Sequence, residues 1–121
     1  MPLSYTIDHA RRIVITRASG TMSDADVEIL RRQLAADPAV DPTFAHYIDL
    51  RELKRLELSS EMLRALQHTL AFRPTSRGAF VARSAFQLHT AREFTRMGEP
   101  DGQAVRTFRS AVAAETWLRK A

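Results

Sequence analysis

The chain opens with two short segments whose hydrophobic pattern is typical of β-strands. Leu3–Asp8 alternates apolar and polar residues, and the segment from Arg12 to Ala18 is rich in β-branched residues. The polar break at residues 9–11 predicts a hairpin between them, and Gly20 predicts the end of the second strand. The chain therefore begins with an antiparallel pair.

The rest of the chain alternates between helical and strand patterns. Apolar residues recur at helical spacing in the segments that start near Ser23, Ser59 or Ser60, Ser84 and Ser110, and a serine is a favoured helix cap. Compact apolar segments at 44–50, 78–82 and 104–108 predict three further strands. Helices between strands imply right-handed parallel crossovers, so the order predicts an α/β domain.

Length and composition favour one soluble globular domain. The chain has 121 residues, of which 45% are hydrophobic and 26% charged, so residues 1–121 are expected to form a single domain. No apolar run approaches the roughly 18 residues that span a bilayer. The first residues also lack the pattern of a signal peptide, so we expect a cytoplasmic protein.

The charge pattern does not favour nucleic-acid binding. The formal net charge is +4, and all but two of the 18 basic residues are arginines, which keeps the sequence pI near 10.3. These residues are spread from Arg11 to Lys120 without a basic run. We therefore expect a solvated arginine-rich surface and no nucleic-acid partner.

The chemistry-bearing residues predict neither a metal site nor a cofactor. The chain has no cysteine, and its four histidines are far apart in sequence. The acid–base pair within one predicted strand, His46 and Asp49, is three residues apart, so the two side chains should point to opposite faces. No phosphate-binding loop or hydrolase motif occurs. The sequence thus predicts a protein that is not an enzyme.

Several residues at the ends of the predicted elements carry a resemblance to a known family. They are Gly20 before Asp24 and Asp26, the segments 47–50 and 78–82, and Phe108 to Ser110 before Trp117 and Leu118. With the order of elements, they make the chain similar to the SpoIIAA-like branch of the STAS superfamily. The resemblance implies a mixed sheet of about five strands in sequential order, with about four helices packed mainly on one face.

The resemblance also points to one serine. The best-known STAS proteins are anti-sigma factor antagonists that are switched by phosphorylation of a serine in an Asp-Ser-Ser-Gly sequence at the start of the second long helix. Ser59 is nearest to that position and is the candidate phosphoacceptor. However, the local sequence is Glu57-Leu58-Ser59-Ser60, which departs from the motif, so a helix cap is the favoured interpretation of Ser59.

Three arginines follow three predicted strands. Arg51, Arg83 and Arg109 each precede a serine that can cap a helix. Ligands of open α/β sheets bind beyond the carboxyl ends of the strands, so these guanidinium groups are candidate anion-binding residues. The alternative is that arginine is simply abundant and strand ends are exposed.

Together these features favour a non-enzymatic STAS-like binding or regulatory module that acts through protein–protein contacts. An uncovered sheet face would favour a homodimer, with Tyr5, Tyr47 and the first two strands as the contact. The alternative function is a carrier of a small anionic or lipid ligand, because related domains resemble Sec14-like modules. The apolar residues expected to line such a cavity are Met62, Leu66, Leu70, Phe86, Phe94 and Met97. Side chains at this spacing more often fill a core.

Overall fold

A computed structural model describes residues 2–62, 77–98 and 104–120. Its core is a five-stranded sheet in the order β1-β2-β3-β4-β5. The strands are β1 (Leu3–Asp8), β2 (Ile13–Ser23), β3 (Ala45–Glu57), β4 (Arg77–Val81) and β5 (Ala104–Phe108). The first two strands pair antiparallel and the others parallel, so the predicted mixed α/β sheet is confirmed.

The helices begin at the predicted serine caps. They are α1 (Asp24–Ala36), α2 (Ala85–Gly98) and α3 (Ala111–Arg119). At α1 the Ser23 hydroxyl accepts from the Asp26 backbone N–H at 3.4 Å, and the Asp26 carboxylate accepts from the Ser23 backbone N–H at 2.9 Å. A further helix begins at Ser60, and the rest of its predicted span, up to Phe72, lies largely outside the described residues.

The sheet has a hydrophobic layer on each face. On one face, α1 and α2 pack Val27 and Leu88 against strand residues such as Leu50. On the other face, α3 packs Ala114 and Leu118 against a second set that includes Tyr47 and Val81. Of the three described helices, α1 and α2 pack on one face and α3 packs on the other. The expected arrangement, with helices mainly on one face, therefore holds for two of these three helices.

Two strand ends differ from the sequence prediction. The expected ends at Gly20 and Leu50 are wrong, because β2 and β3 keep pairing from Ser19↔Glu52 to Ser23↔Glu57. The register shifts on either side of Gly20, whose φ of +61° is a left-handed conformation that glycine adopts readily. Gly20 therefore forms a bulge within the strand. In contrast, β4 pairs with β3 only from His46 to Asp49. The two long strands project beyond the rest of the sheet, and we call residues 19–23 and 52–57 the β2–β3 extension.

Candidate functional site

The β2–β3 extension brings two helix starts together. Strand β2 passes directly into α1 at Ser23, and β3 leads into the helix that begins at Ser60. The Asp24 carboxylate accepts a hydrogen bond from the backbone N–H of Ser59 at 2.8 Å. This bond joins the two starts side by side, and sequence reasoning missed it because the partners are 35 positions apart.

Ser59 caps the helix that begins at Ser60. Its hydroxyl oxygen accepts from the backbone N–H of Met62 at 3.1 Å, so the capping interpretation is confirmed. Ser59 is exposed, as are Ser60 and Glu61. A capping hydroxyl at the surface is accessible to a modifying enzyme, but phosphorylation of Ser59 stays a prediction.

Gln87 connects the extension to the start of α2. Its side-chain N–H groups donate to the carbonyl oxygens of Arg51 and Leu53 at 2.9 and 3.0 Å. Its carbonyl oxygen accepts from the backbone N–H groups of Arg83 and Ser84 at 2.8 and 3.0 Å. Gln87 is 5% exposed. Because β4 stops pairing with β3 at Asp49, the buried amide of Gln87 takes the place that a longer β4 would have beside Arg51 and Leu53.

Part of the role of Gln87 could have been found in the sequence. Ser84 and Gln87 have the spacing of a capping box, and the Ser84 hydroxyl accepts from the Gln87 backbone N–H at 3.1 Å. The hydrogen bonds from Gln87 to β3 have no signature in the neighbouring sequence, because they depend on where β4 ends. Gln87 is therefore the main positioning residue that sequence reasoning missed.

The structure gives Arg51 a partner. Arg51 lies within β3 rather than after it, and its guanidinium donates to both carboxylate oxygens of Asp49 at 3.0 and 2.8 Å. Burial opposes ionisation of Asp49, but the hydrogen bonds from Arg51 outweigh it, so the pKa of Asp49 lies below its ordinary value. Arg51 thus neutralises a buried carboxylate.

Arg83 and Arg109 are exposed in the loops that follow β4 and β5. The register aligns Asp49 with Val81 and Val81 with Phe108, so all three arginines lie at the same end of neighbouring strands. Within the described part of the chain, no carboxylate pairs with Arg83 or Arg109. Anion binding at this end of the sheet, which we call the anion-binding rim, stays a prediction, and Arg83 and Arg109 are the two arginines that would contribute most to it.

His46 and Asp49 point to opposite faces of β3, as expected. His46 is 3% exposed and its Nε2 lies 3.2 Å from the Thr16 hydroxyl, on the face covered by α1. Asp49 lies on the face covered by α3, together with Arg51 and Tyr47. Among the described residues, no three side chains of metal-binding type form a cluster.

A small apolar cavity lies beside His46. It has a volume of about 60 Å³ and lies between Val27 and Leu30 of α1 and strand residues that include Ile48 and Phe80. An apolar cavity of about 150 Å³, more than twice this volume, holds a molecule as small as benzene. The described residues therefore leave too little space here for a lipid chain.

The two tyrosines expected to form one contact surface lie on opposite faces of the sheet. Tyr5 is opposite Thr16 in the register, and its hydroxyl donates to Asp37 at the end of α1 at 2.6 Å. Tyr47 is opposite Ile15 and packs in the layer beneath α3, where it is 6% exposed. A single dimer contact that uses both tyrosines is therefore wrong.

The architecture is shared with solved structures. An uncharacterised protein of the DUF3478 family with a SpoIIAA-like fold, from Shewanella loihica, has a TM-score of 0.70 and 19% identity over 96% of this chain and 93% of that chain. An anti-sigma factor antagonist from Mycobacterium paratuberculosis has a TM-score of 0.63 and 19% identity over 97% and 94% of the two chains. No protein-family model and no curated protein matches the sequence. The chain has a SpoIIAA-like α/β fold, as the resemblance implied.

We predict that Q87E destabilises the protein by about 3 kcal/mol, because a carboxylate cannot donate to the two buried carbonyl groups. The matched control is Q33E, which makes the same change at an exposed position of α1 and should alter stability by less than about 0.5 kcal/mol. Urea unfolding monitored by circular dichroism measures both. Equal stabilities of the two variants would contradict the assigned role of Gln87.

We also predict that His46 makes stability depend on pH. Burial lowers the pKa of His46 from 6.5 to about 4, so between these values the unfolded chain binds the proton more readily than the folded chain. Stability should therefore fall as the pH decreases below 6.5, by about 2 kcal/mol at pH 5. Denaturant unfolding at pH 7 and pH 5 should show this loss, and H46Q should reduce it. The same loss in H46Q would show that other groups cause it.

Proposed function

We propose that this chain is a non-enzymatic regulatory module of the cytoplasm that binds a protein partner at the surface around Ser59. The observation that carries the proposal is the hydrogen-bonded junction between Asp24 and Ser59, which presents an exposed serine hydroxyl between two helix starts. The similarity in fold to an anti-sigma factor antagonist supports a regulatory role.

The surface around Ser59 has the properties of a preformed binding site. The backbone that leads to it is paired into the sheet as far as Ser23↔Glu57, so little order has to be gained on binding. Glu57 and Glu61 are exposed close to Ser59 in the chain, and Lys54 and Arg55 are exposed earlier in β3, so two basic residues are followed by two acidic ones. Mixed charges of this kind give specificity for a complementary protein surface.

Phosphorylation of Ser59 would change this surface in a defined way. A phosphate carries nearly two negative charges, and the Asp24 carboxylate already lies 2.8 Å from the backbone nitrogen of Ser59. The helix start favours the added charge, whereas the carboxylate repels it. We infer that the modified residue would loosen the junction between Asp24 and Ser59 and so weaken partner binding.

A small anionic ligand at Arg83 and Arg109 is a second candidate function. It is favoured by two exposed cations at the same end of neighbouring strands, each beside the capped start of a helix. Arg51 contributes less, because it is paired with Asp49. A lipid carrier has no comparable support among the described residues, and Leu66 and Leu70, which were expected to line its cavity, lie outside them.

The partner proposal predicts that S59E reduces the retention of a bound protein at least tenfold. The experiment is affinity capture from lysate of the native host, with the retained proteins quantified by mass spectrometry. S110E is the matched control, because Ser110 is also an exposed serine that caps a helix, in this case α3. Loss of the same proteins in both variants, or in neither, would contradict a binding surface around Ser59.

The anion proposal predicts that inorganic phosphate shifts the backbone amide resonances near Arg83 and Arg109, and that R83Q/R109Q weakens this binding at least fivefold. The control R92Q/R119Q removes the same charge from exposed helical positions. Arg51 is left intact because its loss would leave Asp49 buried without its partner. Equal phosphate affinities of the two double variants would show that Arg83 and Arg109 do not form the phosphate site.

A further inference from the structure

We propose that two copies of this chain form a two-fold dimer in which β1 of one copy pairs antiparallel with β1 of the other. The occupant of the β1 edge is thus a second copy of the chain. The two five-stranded sheets would become one continuous sheet, with β1 and its symmetry mate at the centre. This inference is independent of partner binding around Ser59.

The backbone of β1 presents an open row of hydrogen-bonding groups. Pro2 lies one position beyond the Leu3↔Ala18 pair, and its carbonyl accepts from the backbone N–H of Ser19 at 2.8 Å. Since backbone groups alternate in direction along a strand, Ser4 and Thr6 also direct theirs toward β2. The N–H and C=O groups of Leu3, Tyr5 and Ile7 therefore point away from the sheet.

The central part of this edge, between Pro2 and Asp8, lacks the features that usually prevent strand addition. Residues 3–7 contain no charged residue and no proline, and their register with β2 is continuous. A groove of about 840 Å³ runs beside them and is bounded by Gln33 and Ala36 of α1 and by Pro38, which follows the helix. The edge therefore has both the free backbone groups and the space for another strand.

The sequence of β1 is complementary to itself. With Tyr5 on the two-fold axis, Leu3 of each copy faces Ile7 of the other, and Ser4 faces Thr6. The groups that point outward, at Leu3, Tyr5 and Ile7, then form the hydrogen-bonded pairs. Apolar residues face apolar residues, small hydroxyl residues face each other, and no like charges meet, which favours a second copy over an unrelated peptide.

The experiment compares two double variants at the Ser4–Thr6 pair. In S4E/T6E, the introduced carboxylates face each other across the dimer, in pairs whose Cα atoms are about 4.5 Å apart. In S4E/T6K, each introduced carboxylate faces an introduced ammonium of the other copy. Ser4 and Thr6 are exposed, and Ser4 is opposite Arg17 within the chain, so a carboxylate at position 4 is favourable in the monomer as well.

Sedimentation velocity at about 5–200 µM, a range that covers the dissociation constants of weak dimers, provides the readout, with circular dichroism as the check on folding. We expect the wild type and S4E/T6K to sediment as dimers at high concentration, and S4E/T6E to have a dissociation constant at least tenfold higher. A species of 13.7 kDa for the wild type throughout would overturn the proposal. Equal dimerisation of the two double variants would also overturn it, because the contact would lie elsewhere.

Discussion

The long parallel pairing of β2 with β3 is the constraint on which the candidate site depends. It continues to Ser23↔Glu57, whereas β4 leaves β3 after Asp49. Beyond that point, within the described residues, no strand pairs with β3 on the side opposite β2, and the buried amide of Gln87 donates to the carbonyl groups of Arg51 and Leu53 there. Because the extension is held in this way, the starts of α1 and of the helix at Ser60 lie together.

Local signals made much of the architecture predictable from the sequence. The serine caps at Ser23, Ser59, Ser84 and Ser110 are local hydrogen-bonding patterns, and the structure confirms each of them. The apolar strand at 104–108 was also predicted with its observed bounds, since its pattern ends where the strand ends. Features of this kind need no knowledge of the tertiary neighbours.

The extension and the contacts around it could not be predicted, because they depend on pairing between distant segments. After Leu50, apolar residues recur at Leu53 and Leu56, a spacing that does not fit the alternation of a half-buried strand. Gly20 suggested a strand end, although the structure uses it as a bulge. The Asp49–Arg51 pair was accessible to reasoning, since residues two apart on a strand share a face.

We infer that the β2–β3 extension is a rigid part of the sheet that holds the surface around Ser59 in place. Backbone hydrogen exchange of the native protein measures this rigidity residue by residue. Amides that pair within residues 19–23 and 52–57 should be protected to a degree similar to those in the centre of the sheet, such as the pairs around Ile15↔Tyr47. Rapid exchange throughout the extension, with slow exchange in the centre, would contradict the claim.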